Sequence, residues 1–231
     1  MIIGAILAGG TGSRLGSELP KQFLDLAGKP VMVHAIEQMV VCDRIDAILV
    51  AVAQDRIDYT KALLAEYPVT VIAGGRDRTE TLTNILTEID ARFGTNERHI
   101  LVSHDAARPF INGRILNENI DAALRYGACG TAIAAIDSVI ESEGGEVIDR
   151  MPDRSRFWRM QTPQSFDVQT LKEAFAELTD EQRATLTDGC NVCVLTGRPC
   201  AIVKGSAYNL KITTPEDLKL ARLIADGGLA Q

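Results

Sequence analysis

The chain has 231 residues, of which 46% are apolar and 24% are charged, and these values are typical of an ordinary globular protein with one α/β domain or two small ones. The formal net charge of −7 argues against broad binding to nucleic acid, because such binding is driven by basic surface. No apolar run approaches the roughly 20 residues that a membrane span needs, and no secretion signal is recognisable.

A short apolar run at 2–7 predicts a first, buried strand. Similar runs predict four more strands, at 47–53, 69–73, 100–103 and 131–136. Between them, apolar residues recur at helical spacing after Thr79 and after Asn112. This alternation predicts an α/β fold with a mainly parallel, Rossmann-like sheet and helices on both faces. Ligands of such sheets bind beyond the carboxyl ends of the strands.

The alternation of strands and helices breaks after Ile136. Residues 137–148 alternate around Glu143-Gly144-Gly145-Glu146, which is typical of a hairpin turn. The polar stretch that follows, through Phe166, is interpreted as a continued excursion from the sheet. We therefore predict a single domain over 1–231 with an inserted β-arm at 137–160.

Regular patterns return after this insertion. They predict a helix at 168–178 and a short strand at 199–203. Thr214 and Pro215, followed by two acidic residues, are typical of the first turn of a last helix.

A glycine-rich loop follows the first strand and carries two cations, Arg14 and Lys21. Its glycines miss the dinucleotide pattern because one residue too many precedes the third glycine, and Lys21 lacks the neighbours of a Walker loop. Backbone N–H groups freed by glycine can bind phosphate oxygens. The two cations can stabilise charge on a leaving pyrophosphate. We interpret the segment as a phosphate-binding loop of a third type; the alternative is a flexible connection between strand and helix.

Residues 104–109 follow the fourth strand and place a carboxylate and a guanidinium at one edge of the sheet. Asp105 is a candidate ligand for Mg²⁺, which prefers one or two carboxylates together with substrate phosphates. Arg108 is a candidate for gripping a phosphate with two hydrogen bonds. The alternative is an ordinary surface pair. The segment 74–78 after the third strand is also basic and rich in glycine, and Lys211 adds a cation before the last helix.

Five cysteines are scattered along the chain, and this odd number is typical of reduced thiols in a cytoplasmic protein. Cys190 and Cys193 form a C-x-x-C pair, but a zinc site would need about two further ligands nearby. Cys200 is a third candidate, whereas the histidines are far off in sequence. We therefore expect the pair to be small buried residues.

Six motifs occur in order between Leu7 and Leu218: LAGGTGSRLG, PKQF, GGRDR, HDAARPF, QTPQSF and NLKITTPEDL. Together they resemble the cytidylyltransferases that activate sugar-alcohol phosphates. Each motif alone is weak, but their order over nearly the whole chain is specific. The resemblance implies a nucleotidyltransferase sheet, CTP and a polyol phosphate as substrates, Mg²⁺ as cofactor, and a homodimer whose arms interlock.

The resemblance also implies roles for individual residues. Lys21, Arg14 and Lys211 would surround the triphosphate as catalytic cations. Ser138 and Arg154 in the arm would contact the acceptor phosphate in the partner's site, with Arg108 as a further acceptor-binding residue. The nucleotide would be bound by Leu7, Ala8, Gly9, Gly10, Thr11, Gly12, Gly75, Arg78, Thr81, Asp105 and Ala106.

Two branches of this family resemble the chain. One uses D-ribitol 5-phosphate for teichoic-acid and capsule synthesis, and the other uses 2-C-methyl-D-erythritol 4-phosphate for isoprenoid synthesis. Enzymes of the second branch usually begin the loop with two alanines and one glycine, and place another acid after the later Thr-Asp. This chain instead has Ala8-Gly9-Gly10 and Thr187-Asp188-Gly189. We therefore predict transfer of CMP from CTP to D-ribitol 5-phosphate, with 2-C-methyl-D-erythritol 4-phosphate as the alternative acceptor.

Other classes of protein share some of these features. A nicotinamide oxidoreductase would use a similar sheet, but the glycine spacing argues against it. A non-catalytic nucleotide-binding module remains an alternative, although Lys21, Arg14 and Asp105 together speak against loss of activity. Some relatives in the ribitol branch are fused to a reductase, and here we expect any reductase that supplies the acceptor to be a separate polypeptide. We expect neither nucleic acid nor a membrane as a partner.

Overall fold

A seven-stranded sheet forms the centre of the computed structural model, which describes residues 1–10 and 19–227 of the chain. The strands are β1 (Ile2–Ala8), β2 (Asp25–Leu26), β3 (Lys29–Pro30), β4 (Ala47–Val52), β5 (Thr70–Ala73), β6 (Ile100–Asp105), β7 (Ala128–Ala134), β8 (Trp158–Asp167) and β9 (Ala201–Lys204). The helices are α1 (Val31–Val40), α2 (Ile57–Leu63), α3 (Arg78–Phe93), α4 (Gly113–Tyr126), α5 (Val168–Glu177), α6 (Asp180–Ala184), α7 (Gly189–Leu195) and α8 (Pro215–Ala225). Strands β2 and β3 pair with each other outside the main sheet.

The strand order of the main sheet is β5-β4-β1-β6-β8-β7-β9. Neighbouring strands are parallel except where β8 pairs with β6 and with β7. The predicted mainly parallel α/β sheet is therefore confirmed, with one reversed strand. Because β1, β5 and β6 run in the same direction, the segments that follow them meet at one edge.

Side chains of β1 alternate between two apolar clusters, one on each face of the sheet. Ile6 and Ala8 pack with α1 and α4 on one face. Ile3 and Ala5 pack with α3 and α5 on the other. Helices cover both faces because the strands of a parallel sheet are apolar on both sides.

Helices α4 and α8 begin where the sequence indicated, whereas α3 begins at Arg78, before Thr79, and is capped by Asp77. The Asn112 side chain accepts a hydrogen bond from the Ile115 N–H at the start of α4. Thr214 caps α8 in a capping box with Asp217. Within the described ranges, no helix is both long enough and apolar enough to cross a membrane.

The interpretation of the stretch through Phe166 as an excursion is wrong for its second half, because Trp158–Asp167 form β8 inside the sheet. This strand lacks the apolar run by which a central strand is recognised. Its buried polar side chains are bonded inside the protein instead: the Ser165 hydroxyl donates to the Asn119 carboxamide at 3.4 Å. The strand predicted at 131–136 is observed earlier, at Ala128–Ala134.

Residues 135–157 join β7 to β8 and contain most of the predicted arm. Glu141 and Arg150 form an isolated antiparallel bridge, and the Ala135 N–H donates to the Phe157 carbonyl at 2.9 Å. Large apolar side chains are exposed in and next to this segment: Ile136, Ile140, Val147, Ile148, Met151, Phe157, Trp158 and Met160. Trp158 and Met160 belong to β8, so the arm ends earlier than predicted. Its role in dimerisation stays a prediction.

A buried polar network fixes β8 against α4 and β7. The Asn119 carboxamide nitrogen donates to the Thr131 hydroxyl at 2.9 Å, and that hydroxyl donates to the Pro163 carbonyl at 2.7 Å. Asn119, Thr131 and Ser165 are fully buried.

Replacing Asn119 with alanine should lower the free energy of unfolding by about 2–3 kcal/mol, because it leaves Thr131 and Ser165 short of hydrogen bonds in the core. Urea unfolding followed by circular dichroism measures this loss. Asn117→Ala is the matched control on the same helix, where the side chain is only partly buried; it should change stability by about 0.5 kcal/mol or less. Equal losses for both variants would contradict a structural role for this network.

Candidate active site

A cavity of about 330 Å³ opens at the carboxyl ends of β1, β5 and β6. Its lining residues come from the segments that the motifs predicted to meet there. They are Leu7, Ala8, Gly9, Gly10, Lys21, Gln22, Gly75, Arg76, Asp77, Arg78, Thr81, Asp105, Ala106, Ala107, Lys211 and Thr213. The structure therefore brings together the predicted glycine segment and four predicted charged residues. Thr11, Gly12 and Arg14 lie outside the described residues.

The pairing of β1 with β6 places the glycine segment beside Asp105. Leu7 is in register with Asp105, and the Ala106 N–H donates to the Leu7 carbonyl at 3.1 Å. The two strand ends thus form adjacent parts of the cavity wall. Lys21 enters the wall from the start of a short 3₁₀ turn, Lys21–Phe23.

Gln22 holds the glycine segment in place, and the sequence reasoning gave this residue no role. Its buried carboxamide nitrogen donates to the Ala8 carbonyl at 2.6 Å and to the Gly10 carbonyl at 2.9 Å. These two bonds set the course of the backbone at the cavity wall. The available signal was a polar residue placed directly after the lysine and before the buried Phe23.

The first turn of α3 forms the opposite wall. The Gly75 N–H donates to the Thr81 hydroxyl at 2.9 Å, and that hydroxyl donates to the Asp77 carbonyl at 2.7 Å. A Cβ on Gly75 would lie 2.4 Å from the Cβ of Glu80, so only glycine fits here. Both hydrogen bonds of the Thr81 hydroxyl are therefore made to the protein backbone, and they hold Gly75 in the cavity wall.

Three cations converge on the carboxylate of Asp105. The Lys211 ammonium lies 2.8 Å from one oxygen, and an Nη of Arg78 hydrogen-bonds to the other. The Nε of Arg108 is 3.6 Å away. Burial alone would raise the pKa of Asp105, but Arg78 and Lys211 hold it well below its usual range. The residue is therefore a carboxylate at every pH of interest, and the cluster carries a net positive charge.

Arg78 has further hydrogen-bonding capacity. Its Nε and second Nη are buried and have no hydrogen-bond partner among the described residues. Buried donors of a guanidinium are costly when they stay unpaired. Because Arg78 also lines the cavity, these donors are suited to an anionic ligand.

Arg108 lies beneath this cluster and does not line the cavity. It is 8% exposed, and one Nη donates to the Asn209 carbonyl at 2.8 Å. The neighbouring Ile212 N–H donates to the Ala107 carbonyl at 2.8 Å. These bonds tie the loop after β6 to the segment that carries Lys211. The acceptor contact of Arg108 stays a prediction, because its guanidinium is buried and does not line the cavity.

His104 and Thr162 connect the site to β8. The Thr162 hydroxyl accepts a hydrogen bond from the Asp105 N–H at 3.1 Å and lies 3.0 Å from Nδ1 of His104. Burial lowers the pKa of His104 to about 4, so the imidazole is neutral at physiological pH. His104 is therefore a structural residue that positions the backbone of Asp105.

The two predicted acceptor-binding residues of the arm are not brought to this cavity within one chain. Ser138 is exposed in the segment 135–157. The Arg154 guanidinium donates to the Ile136 carbonyl at 2.7 Å. Neither residue lines the cavity. Their contact with an acceptor stays a prediction.

The described part of the chain contains no group of three or more acidic, histidine or cysteine side chains arranged to hold a metal ion. Asp105 is the carboxylate at the centre of the cation cluster. Asp105 can supply one carboxylate ligand to Mg²⁺, and phosphate oxygens of a substrate would have to supply others. Mg²⁺ is commonly bound in this way.

Solved structures of several proteins share this fold. A 4-diphosphocytidyl-2C-methyl-D-erythritol synthase from Anaerococcus prevotii aligns with a TM-score of 0.82 at 24% identity, over 98% of this chain and 96% of that one. At this identity the match shows the fold alone. The 2-C-methyl-D-erythritol 4-phosphate cytidylyltransferases of Thermus thermophilus and Francisella tularensis align at 27% and 26% identity, with TM-scores of 0.75 and 0.79. The first alignment covers 98% of this chain and 100% of that one, and the second 95% and 97%.

A family profile gives the most direct assignment. The profile described as "IspD: 2-C-methyl-D-erythritol 4-phosphate cytidylyltransferase" matches residues 2–226. This match and the solved structures support the cytidylyltransferase family predicted from the motifs, but they favour its methylerythritol branch over the predicted ribitol branch. Because the match spans nearly the whole sequence, the chain belongs to the IspD family and is a nucleotidyltransferase of the cytidylyltransferase class.

Proposed function

We propose that the protein transfers CMP from CTP to the phosphate of 2-C-methyl-D-erythritol 4-phosphate and releases pyrophosphate, as a step of isoprenoid synthesis. The observation that carries this proposal is the cavity in which the glycine segment faces Lys21, Arg78 and Lys211. The family comparisons support this acceptor ahead of D-ribitol 5-phosphate. The use of CTP and the free cysteines are consistent with a cytoplasmic enzyme.

In this proposal the nucleotide lies along the two backbone walls of the cavity. The base lies against Ala8, Gly9 and Gly75, where side chains are small or absent. The triphosphate extends towards Lys21 and Lys211, with the unpaired donors of Arg78 facing it. Charge-assisted hydrogen bonds of this kind are about twice as strong as neutral ones.

The chemical step is an in-line displacement at the α-phosphorus. An oxygen of the acceptor phosphate forms the new P–O bond, and the bond to pyrophosphate breaks. A phosphate monoester is already anionic near neutral pH, so no strong general base is required. The residues of the cavity hold two like-charged groups together and stabilise the charge on the leaving group. Lys21 and Lys211 supply this electrostatic stabilisation.

Mg²⁺ is the proposed cofactor. Asp105 would hold it together with phosphate oxygens of CTP, and the ion would neutralise part of the triphosphate charge. Both oxygens of Asp105 are bonded to cations in the structure, by Arg78 and Lys211. Metal binding at Asp105 would therefore compete with the contact to Lys211.

D-ribitol 5-phosphate is the second candidate acceptor, and one packing contact favours it. The methylerythritol branch usually has an acid at the position of Gly189. A Cβ on Gly189 would lie 2.7 Å from the Phe166 ring, and Phe166 is fully buried. An acidic side chain could not be accommodated there without moving the core. The packing against Phe166 therefore requires glycine at position 189, in contrast to the acid of the methylerythritol pattern.

A homodimer is also part of the proposal. The segment 135–157 and the start of β8 expose a row of large apolar side chains that includes Ile136, Val147 and Trp158. Exposed apolar surface of this extent is typical of an interaction site. Ser138 and Arg154 would then contact the acceptor in the partner's cavity. If the acceptor is ribitol 5-phosphate, a separate reductase would supply it.

The acceptor is tested by measuring pyrophosphate release with CTP and Mg²⁺, offering each of the two acceptors in parallel. Turnover with 2-C-methyl-D-erythritol 4-phosphate alone is the expected result. Turnover with D-ribitol 5-phosphate alone would keep the cavity and the chemistry but replace the acceptor. Absence of turnover with both, despite binding of CTP, would favour a non-catalytic nucleotide-binding module.

Lys21→Ala should lower kcat by about 100-fold or more, which is the usual cost of removing one preorganised electrostatic group. Steady-state pyrophosphate release measures the change. Lys61→Ala is the matched control, because Lys61 is exposed on α2 and does not line the cavity; its kcat should match that of the wild type. A Lys21→Ala enzyme with normal kcat would remove Lys21 from the chemical step.

Arg154→Ala should raise the KM for the acceptor and leave the KM for CTP nearly unchanged, because only the acceptor is proposed to contact the arm. Arg156→Ala, an exposed arginine of the same 3₁₀ turn, is the control and should leave both constants unchanged. An increase in the KM for CTP alone would move Arg154 out of the acceptor site.

A further inference from the structure

Three of the five cysteines lie together on one face of the sheet. Cys190 and Cys193 belong to α7, and Cys200 directly precedes β9. Cys190 and Cys193 are buried in the apolar cluster on this face, and Cys200 packs against that cluster. No step of the proposed reaction uses these thiols, and Cys42 lies elsewhere, just after α1.

Backbone contacts hold Cys190 close to the path of β9. The Cys190 thiol donates to the Cys129 carbonyl of β7 at 3.6 Å. A Cβ on Gly130 would lie 2.7 Å from this sulfur, so the thiol rests directly on the β7 backbone. Cys129 is paired in register with Ala201 of β9. The residue before Ala201 is Cys200, which therefore arrives beside Cys190.

The turn between α7 and β9 is fixed by several bonds. Gly197 has a positive φ of 69°, which favours glycine. The Arg198 N–H donates to the Cys193 carbonyl at 2.8 Å, and the Arg198 guanidinium bonds both carboxylate oxygens of Glu177 at 2.7 Å. The chain is thus bent back over α7, which places the Cys200 thiol beside the Cys190 thiol in the same apolar cluster.

We propose that Cys200 and Cys190 form a thiol modification site, which a low-molecular-weight disulfide oxidises to an intramolecular Cys190–Cys200 disulfide. Cys200 reacts first because it is only partly buried, whereas the other four cysteines are buried. Cys190 then completes the disulfide because its thiol lies beside that of Cys200 on the β7 backbone. This inference does not depend on the identity of the acceptor.

The ionisation of the thiols agrees with this order. The contact with Cys190 lowers the pKa of Cys200, whereas the same contact and burial raise the pKa of Cys190. Burial raises the pKa of Cys193 to about 12. Because the thiolate is the nucleophile in disulfide exchange, Cys200 is the best attacking group and Cys193 is a poor one.

The reaction balances as two thiol–disulfide exchanges. The Cys200 sulfur loses its proton and attacks one sulfur of glutathione disulfide, whose S–S bond breaks and releases one glutathione, which takes up the proton. The Cys190 sulfur then loses its proton and attacks the Cys200 sulfur, releasing the second glutathione. The two cysteines are oxidised together by two electrons, and glutathione disulfide is reduced to two molecules of glutathione.

The test incubates the full chain with glutathione disulfide and maps the products by mass spectrometry. Cleavage after Leu195 separates Cys200 from Cys190 and Cys193, so a disulfide to Cys200 joins two peptides. The wild type should lose two thiols, carry no glutathione and give this linked pair. Cys193→Ser and the control Cys42→Ser should give the same product. A disulfide within the peptide of Cys190 and Cys193, or no reaction, would overturn the proposal.

Two further variants test the order of attack. Cys190→Ser should stop at a stable mixed disulfide with glutathione on Cys200, because no second thiol contacts it. Cys200→Ser should stay unmodified. Glutathione on Cys190 in the Cys200→Ser variant would overturn the assigned order. Circular dichroism of each variant establishes that it is folded. Fragmentation of the linked wild-type peptides assigns the bond to Cys190 or to Cys193, whether or not a variant folds.

Discussion

One buried carboxylate holds the site together, because Asp105 is the common partner of cations from three separate segments. Arg78 belongs to α3, Arg108 to the loop after β6, and Lys211 to the segment before α8. A buried charge costs several kcal/mol unless it is paired, and losing one partner typically costs about 3–5 kcal/mol. The pairing therefore stabilises the convergence of these segments, and the cavity exists where they meet.

The same arrangement makes the cavity cationic in an acidic protein. The chain carries a formal charge of −7, yet three cations surround a single carboxylate at the cavity. A ligand with several negative charges is attracted to such a local field whatever the net charge of the protein. Asp105 also holds Arg78 and Lys211 in place before any ligand arrives. Donors that are already positioned lose little conformational entropy on binding, and this preorganisation is what electrostatic catalysis requires.

Sequence patterns predicted those parts of this architecture that follow from local chemistry. Apolar runs marked β1, β4, β5 and β6, and capping residues such as Asn112 and Thr214 marked helix starts, because these signals depend on near neighbours along the chain. The motifs placed Lys21, Asp105 and Lys211 at one edge. The reversed strand β8 was missed because its buried polar side chains find partners far away in sequence, as Ser165 does with Asn119. The backbone contacts of Gln22 and Arg108 could not be predicted for the same reason: a sequence shows that a side chain is polar, but not that a backbone carbonyl of another segment accepts its hydrogen bonds.

Strand β8 connects the parts of the molecule that sequence reasoning had kept separate. It begins at the arm with the exposed Trp158 and ends in the core with the buried Phe166. Midway, the Thr162 hydroxyl accepts a hydrogen bond from the Asp105 N–H, while the Thr162 carbonyl accepts one from the carboxamide of Asn209 at 2.7 Å. Asn209 stands two residues before Lys211. A single strand thus connects the arm to the backbone of the carboxylate and to the segment that carries one of its cations. Because β8 is hydrogen-bonded to β6 on one side and to β7 on the other, this one element fixes where the arm begins relative to the Asp105–Lys211 pair.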